Sequence, residues 1–346
     1  MKKKLFTALG LMSGTSMDGL DLSLIKSDGK SEFMCILNDY FEYDRQLKGS
    51  LFDLRSRLLT LKDLEKYGKE INNIEREYTL FVVKTLGKVF KNYKDQIDFI
   101  GFHGQTIYHN SDEKISKQIG NGKILSQMTK KIVVNNFRNG DLDNGGQGAP
   151  LTPIFHKLIS QTMIKTEKIK LPINIINIGG ITNITHICNS KNSSDIKIFA
   201  YDIGPGNCLI DNWVRKNSKK NFDENGNIAN SGKIDELLLN QAIENFEIFS
   251  FNKSLDIKDF DISFAKGLSL ENGCATLTEF SAYLISKGIE FVSRNHDFPE
   301  KINLICGGGR KNFFLIDSIK RNLQKKVIRN IDEYGFDGDY IESQAF

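Results

Sequence analysis

The segment Gly-Leu-Met-Ser-Gly-Thr-Ser-Met-Asp-Gly-Leu-Asp-Leu-Ser-Leu, residues 10–24, constrains this chain more than any other. It is a short polar turn between two apolar stretches. Residues 5–11 read as a buried strand, and residues 20–25 alternate apolar with polar as a half-exposed strand does. Between them Ser13, Gly14, Thr15, Ser16 and Gly19 offer hydroxyls, flexible backbone and open N–H groups, with Asp18 and Asp21 alongside. Such a turn can wrap anionic oxygens while a carboxylate holds a cation. It is not a Walker loop, because no Gly-Lys-Ser/Thr follows and the chain leaves as a strand. These residues alone leave a second reading open, a Gly-rich hairpin with no ligand.

At 346 residues the chain exceeds the usual span of one hydrophobic core, so two domains are expected. Its 47 basic and 43 acidic residues are interleaved, and the net +4 argues against a dedicated nucleic-acid surface. Lys2, Lys3 and Lys4 before an apolar stretch superficially resemble a secretion signal. That stretch is short and runs straight into the polar turn, so it reads as the first strand. No segment is long and apolar enough to cross a bilayer. Cys35, Cys188, Cys208, Cys274 and Cys306 are odd in number, scattered and without a Cys-x-x-Cys pair. This fits reduced thiols in a cytoplasmic protein and argues against a structural zinc site.

Strands and helices then alternate. Residues 35–43 suggest a strand, residues 46–92 a helical stretch with charges off the apolar face, and residues 97–102 a strand ending in His103-Gly104-Gln105-Thr106. Residues 131–134 form another strand, followed by a Gly-rich loop over 140–150 and a helix over 151–163. A second unit begins near 169: a strand at 173–178, a polar turn at 179–183 and a strand at 184–188. This repeats the plan of the first hairpin with little residue identity. Residues 233–250 and 270–293 read as helices, and a strand at 301–305 leads into Cys306-Gly307-Gly308-Gly309 and a helix over 312–323. Alternation of this kind, with polar residues just past strand ends, indicates α/β layers with a site along a sheet edge.

Three constellations could carry chemistry. Asp202, after the apolar residues 196–201, is expected at the exposed tip of a strand, with Gly204 and Gly206 allowing close approach. A carboxylate there can take a proton from a hydroxyl or water, and it can equally be a plain Asx turn. The three glycines at 307–309 admit a flat or charged ligand to the backbone, or simply pack a strand against a helix. Two polar loops, His103 to Thr106 and Arg138, Asp141 and Gln147 with their glycines, carry the groups that hold a polyhydroxylated or acidic small molecule. His103 and His109 lack a third ligand for a metal.

Together these segments resemble the anhydro-N-acetylmuramic acid kinase family of the actin-like sugar-kinase superfamily. The matching motifs run in order: residues 10–21, Gly104-Gln105-Thr106, Phe137-Arg138 with Asp141, residues 145–150, 177–183, Asp202 with 204–207, 306–309, and Asp332-Glu333-Tyr334-Gly335 with Glu342 and Ala345-Phe346. The resemblance implies a two-domain α/β actin-like fold with an ATP cleft between the domains, here 1–168 and 169–330, residues 331–346 returning to the first. It implies a cytoplasmic enzyme of murein recycling that opens the 1,6-anhydro ring, phosphorylates O6 with ATP and Mg²⁺, and yields N-acetylmuramic acid 6-phosphate and ADP. Asp202 aligns with the general base. Gly14, Thr15, Ser16, Met17, Asp18, Gly19, Leu20, Asp21, Gly179, Gly180, Asn183, Gly204, Gly307, Gly308 and Gly309 align with the nucleotide site, Asp18 holding Mg²⁺ through water. His103, Gln105, Arg138, Asp141, Gln147 and Glu342 align with the sugar site. The implied partners are the two small-molecule substrates, with a homodimer allowed and neither nucleic acid nor membrane involved. Two departures stand out: the family's Asp-Phe-Arg-Arg-Arg-Asp segment is Asn136-Phe137-Arg138-Asn139-Gly140-Asp141 here, and Ile203 replaces a small residue beside the base. They suggest altered sugar use before loss of kinase chemistry. A plain hydroxyl kinase on another amino sugar, and a non-catalytic actin-like nucleotide-binding protein, are the alternatives.

Overall fold

Seven of the eight residues of β1 (Phe6–Ser13) are buried, and β2 (Gly19–Ser27) and β3 (Phe33–Glu42) continue from it as an antiparallel meander. The structure, a computed structural model, describes residues 4–166, 168–190, 195–246, 251, 254–296, 300–323 and 326–346. On the other side of β1, β4 (Phe99–Asn110) runs parallel to it, and β4 is flanked by antiparallel β5 (Ile115–Ile119) and parallel β6 (Ile132–Asn135). The second sheet repeats this plan. An antiparallel meander of β7 (Ile173–Ile178), β8 (Ile181–Asn189) and β9 (Ile196–Pro205) has β10 (Ile302–Cys306) and then β11 (Ile328–Asn330) parallel beside β7. The repeat visible in the sequence is thus a repeat of strand order and direction, the duplicated plan that an actin-like fold requires.

The helical stretch expected over 46–92 is three helices: α1 (Arg45–Arg57), α2 (Leu61–Lys66) and α3 (Gly68–Tyr93). Asp44 caps α1 by accepting from the Leu47 N–H at 2.8 Å, and Thr60 with Asp63 forms a capping box that starts α2. On α3, Ile71, Ile74, Tyr78, Val82, Leu86 and Val89 recur at helical spacing and close one core with Leu9, Leu11, Leu22, Leu24 and Ile100 of the sheet. After α4 (Gly122–Thr129), the loop expected at 140–150 is partly helical, because α5 (Phe137–Asp143) begins before it; α6 (Pro153–Lys165) follows.

In the second unit come α7 (Cys208–Asn217), α8 (Asn227–Ser231), α9 (Glu236–Asn245) and α10 (Leu270–Asn295). Helix α10 is buried along its length and contributes to two adjoining cores, one with α7 and the other with β7, β8 and α11 (Phe313–Leu323). The end of the helix expected at 233–250 lies outside the described residues. The chain divides into two compact units, residues up to Leu158 with Tyr340–Phe346, and Ile159–Asp339. The C-terminal helix α12 (Ile341–Ala345) therefore packs on the first sheet. It does so over Gly10 and Gly101, register neighbours on β1 and β4: a Cβ on Gly10 would overlap the Ser343 carbonyl, and one on Gly101 the Phe346 carbonyl. No helix among the described residues is long and apolar enough to cross a membrane.

Candidate active site

In the first unit the turn between β1 and β2 is held from behind. Gly14 O accepts from Gln105 Nε2 at 2.9 Å and from the Met17 N–H at 3.3 Å; Thr15 O accepts from Arg55 at 3.2 Å, and Asp18 O from the Tyr43 N–H at 2.9 Å. With these carbonyls turned inward, the N–H groups of Thr15 and Ser16 have no partner among the described residues. That is the polarity an anion requires. Ser16 Oγ donates to Asp18 Oδ1 at 2.5 Å. The Tyr40 phenol, packed where a Cβ on Gly19 would lie, has its pKa raised by burial and then by Asp18, Asp21 and Glu42, so the hairpin carries a negative field suited to a cation. Met17 and Leu20, expected in the nucleotide set, turn their side chains into the core at 1% and 0% exposure, so only their main chain can serve a ligand.

The expected sugar residues fall into two groups. His103, Gln105 and Thr106 lie not in a loop but within β4, and His103 and Gln105 are buried there. Gln105 is bonded to the first turn, as above. His103 Nδ1 donates to Gly104 O at 2.8 Å and Nε2 accepts from Arg138 Nε at 3.0 Å. Burial, and then Arg138, lower the His103 pKa to about 3, which fixes a neutral ring. Both residues therefore act on neighbours. Arg138 also donates to Gly148 O at 2.7 Å, and Asp141 accepts from the Gly148 N–H at 2.8 Å, so the pair clamps the glycine loop that carries exposed Gln147. Phe346 packs its ring on His103 and Phe137, at 4.7 and 5.1 Å between centroids. Glu342 comes from α12; burial raises its pKa against the opposing charge of Arg138. Arg138 and Glu342 are thus brought within electrostatic reach.

In the second unit Asp202 is not at an exposed strand tip. Strand β9 runs on to Pro205, and Asp202 sits inside it, 6% exposed. Its Oδ2 accepts from Ser254 Oγ at 3.1 Å and the Leu255 N–H at 2.9 Å. Across the ladder Asp202 faces Asn183 and Gly204 faces Thr182, with a bulge between the pairs. Asn183 Oδ1 and Thr182 Oγ1 are buried and without a hydrogen-bond partner among the described residues. Buried polar atoms left unpaired in a native fold call for an explanation, and a ligand or water supplies one. The carbonyls of Gly179 and Gly180 accept from the N–H groups of Gly206, Asn207 and Cys208, so the start of α7 is closed by this turn and not open to phosphate. Gly204 packs toward Leu284 of α10.

The three glycines after β10 differ. A Cβ on Gly307 would lie 2.8 Å from Ile178 O, and one on Gly309 2.8 Å from Ile178 Cβ, whereas one on Gly308 would meet nothing within 4 Å. Only Gly308 is open. The turn is fastened by Arg310, buried between Asp332 (2.7 Å) and Asp339 (2.5 Å) and donating to Gly307 O at 3.2 Å. Among the described residues no cluster of three or more His, Cys, Asp or Glu could hold a metal ion. Thr182, Ser254 and Arg310 were absent from the expected site; Thr182 adjoins Asn183 at the start of β8, where the turn expected over 179–183 has already given way to strand, while Ser254, far along the chain from Asp202, has no signal in the sequence.

A family model described as anhydro-N-acetylmuramic acid kinase matches residues 6–346. The chain is 50% identical over 347 residues to an anhydro-N-acetylmuramic acid kinase of Pelagibacter ubique (strain HTCC1062), covering 99% of this chain and 91% of that protein. It is 34% identical over 349 residues to the enzyme of the same name from Agrobacterium fabrum (strain C58 / ATCC 33970), covering 98% and 90%. Among solved structures, hexokinase from Schistosoma mansoni complexed with glucose is similar at 9% identity and a TM-score of 0.43, covering 99% of this chain and 86% of that one.

Proposed function

The chain belongs to the anhydro-N-acetylmuramic acid kinase family, and on that membership we propose how its residues divide the reaction. As a kinase of this family it takes ATP and anhydro-N-acetylmuramic acid as substrates. Asp202 accepts a proton from a water whose oxygen attacks the anomeric carbon. The bond from that carbon to O6 breaks, opening the anhydro bridge, and O6 takes the γ-phosphoryl group as ADP leaves. The products are N-acetylmuramic acid 6-phosphate and ADP, and the proton passes to solvent. The observation that supports this most is the placement of Asp202: buried, oriented by Ser254 and Leu255, and opposite the unpaired Asn183 Oδ1. A carboxylate so fixed has the burial and orientation that a positioned base needs, which supports this reading.

We assign the first turn, through the N–H groups of Thr15 and Ser16, to the phosphates of ATP, and in the second unit Asn183, Thr182 and Gly180 to nucleotide binding. Gly308 is the one glycine of its turn with room for the adenosine. Asp18 would hold Mg²⁺, with Asp21 nearby; few protein ligands suit an ion that keeps most of its water and shares phosphate oxygens. Bound there, Mg²⁺ would neutralise charge on the transferring phosphoryl group. Arg138 and Glu342 are assigned to the sugar, with His103 holding Arg138 in place. Dependence on ATP places the enzyme in the cytoplasm.

We expect Asp202→Asn to lower kcat by about 10²- to 10⁴-fold while ADP still binds. Turnover in ¹⁸O-water should label the anomeric hydroxyl of the 6-phosphate product. Near-normal kcat in the variant would remove Asp202 from the base role, and phosphorylation without label would remove the hydrolytic step.

A further inference from the structure

Beneath the first turn lie four polar side chains that the reaction above does not use chemically: Ser13, Tyr43, Tyr78 and Gln105, none more than 3% exposed. Tyr43 follows β3 directly. Its N–H donates to Asp18 O at 2.9 Å, at the exit of the turn. Its hydroxyl donates to Ser13 Oγ at 2.6 Å, at the entry, with Gln105 Oε1 3.4 Å away. Gln105 in turn donates to Gly14 O. One residue thus ties both ends of the turn and, through Gln105, its first carbonyl. The ring is fixed by edge-on packing against Tyr78 and Phe81, with centroids 6.0 and 5.2 Å apart, so the hydroxyl has one position. Burial pushes the phenol pKa well up, so it stays a neutral donor.

We infer that Tyr43 is a positioning residue for ATP: its hydroxyl sets the spacing of the N–H groups of the first turn and thereby the affinity for the triphosphate. This rests on the reading of that turn as the phosphate site. Tyr78 supplies the comparison: its hydroxyl lies 2.9 Å from the same Ser13 Oγ and is coupled to the Tyr43 hydroxyl, but no atom of Tyr78 bonds to the exit of the turn, as the Tyr43 N–H does. Donors that bind an anion must be held to within about half an ångström, and the Tyr43 bond is what spans this turn.

The test compares Tyr43→Phe and Tyr78→Phe in the full chain, each losing one buried hydroxyl and keeping its ring. Loss of a buried hydrogen bond corresponds to about a three- to tenfold change in an equilibrium. We expect Tyr43→Phe to raise the KM for ATP, and the Kd for ADP, by that factor, with the KM for the sugar within twofold. Tyr78→Phe should lose comparable thermal stability with the KM for ATP within twofold. Ser13→Ala breaks the same bond from its other end, together with the Tyr78 contact for which Tyr78→Phe is the control, and should also raise the KM for ATP, which keeps the test should Tyr43→Phe fail to fold. An unchanged KM for ATP in Tyr43→Phe and Ser13→Ala, or an equal rise in Tyr78→Phe, overturns the inference. Asp18→Ala separates the two levels. If it too leaves the KM for ATP unmoved, the phosphate reading of the turn fails; if it raises that KM while Tyr43→Phe does not, only the role of Tyr43 fails.

Discussion

At Gly308 an added methyl would enter open space, whereas at Gly309 it would press on Ile178 and at Gly307 it would also need a side chain at φ +78°. Gly308→Ala should therefore leave the melting temperature unchanged and raise the KM for ATP, if the adenosine lies against that backbone. Gly309→Ala should cost about 1–3 kcal/mol of stability, from overpacking against a strand end that has nowhere to move. Urea unfolding and ATP saturation curves on both variants check this, and equal stability losses would show that Gly308 is a packing glycine as well. In the sequence all three residues look alike, since which glycine faces a neighbour depends on how β10 pairs with β7. Asp202 was legible as a residue type but not in its setting. Asp202 reads as the tip of a strand, yet the bulge opposite Thr182 lets β9 continue to Pro205, and Ser254 arrives from a segment that no local pattern connects to it.

Helix α12 is the element whose placement depends most on absent side chains. Gly10 and Gly101 leave a gap across two adjacent strands, and the carbonyls of Ser343 and Phe346 fill it. Ser343 Oγ then meets Ser23 Oγ at 2.7 Å, and Gln344 donates to Asn38 at 3.2 Å. Gly10→Ala puts a carbon into a backbone carbonyl, which no rotamer change relieves, so α12 must lift from the sheet. Amide exchange over 341–346 should rise at least about tenfold while the strands of the second unit keep their protection. Because Glu342 rides on α12, the KM for the sugar should rise with it; unchanged exchange in a folded variant would show that the helix is held elsewhere. The return of the chain to the first unit could be anticipated only through the resemblance, because nothing in residues 340–346 themselves names a docking site. Strands with apolar runs and short turns were readable from period alone. The division of 46–92 into three helices was less so, since the capping residues Asp44, Thr60 and Asp63 lie within a continuous polar and apolar mixture.

Across the whole molecule the two units share one strand plan, and each buries neutral histidine. In the first unit burial lowers the His156 pKa to about 3, and burial followed by Arg138 does the same for His103. In the second, burial, then the neighbouring His296 and Lys326, lower His186 to about 4 against the opposing pull of Glu300, while its Nδ1 is bonded to Asn174 Oδ1 at 2.8 Å. Unfolding releases each ring to an ordinary pKa of about 6.5. The unfolded chain then binds protons that the folded chain does not, so stability is full above about pH 6.5 and is lost as the pH falls toward 4 and below. Each histidine contributes a slope of at most about 1.4 kcal/mol per pH unit in that window. Glu342 acts in the opposite sense, since its raised pKa lets the folded protein keep a proton that the unfolded chain releases, but it is one group against three. Unfolding by urea at pH 5.0 in a weakly buffered indicator solution should therefore take up at least about two protons per chain, and almost none at pH 8.0. The loss should be felt in both units, because neither holds all three rings. An uptake below one proton at pH 5.0 would mean that at least one of these three rings is already charged in the folded protein, against the burial that holds them neutral.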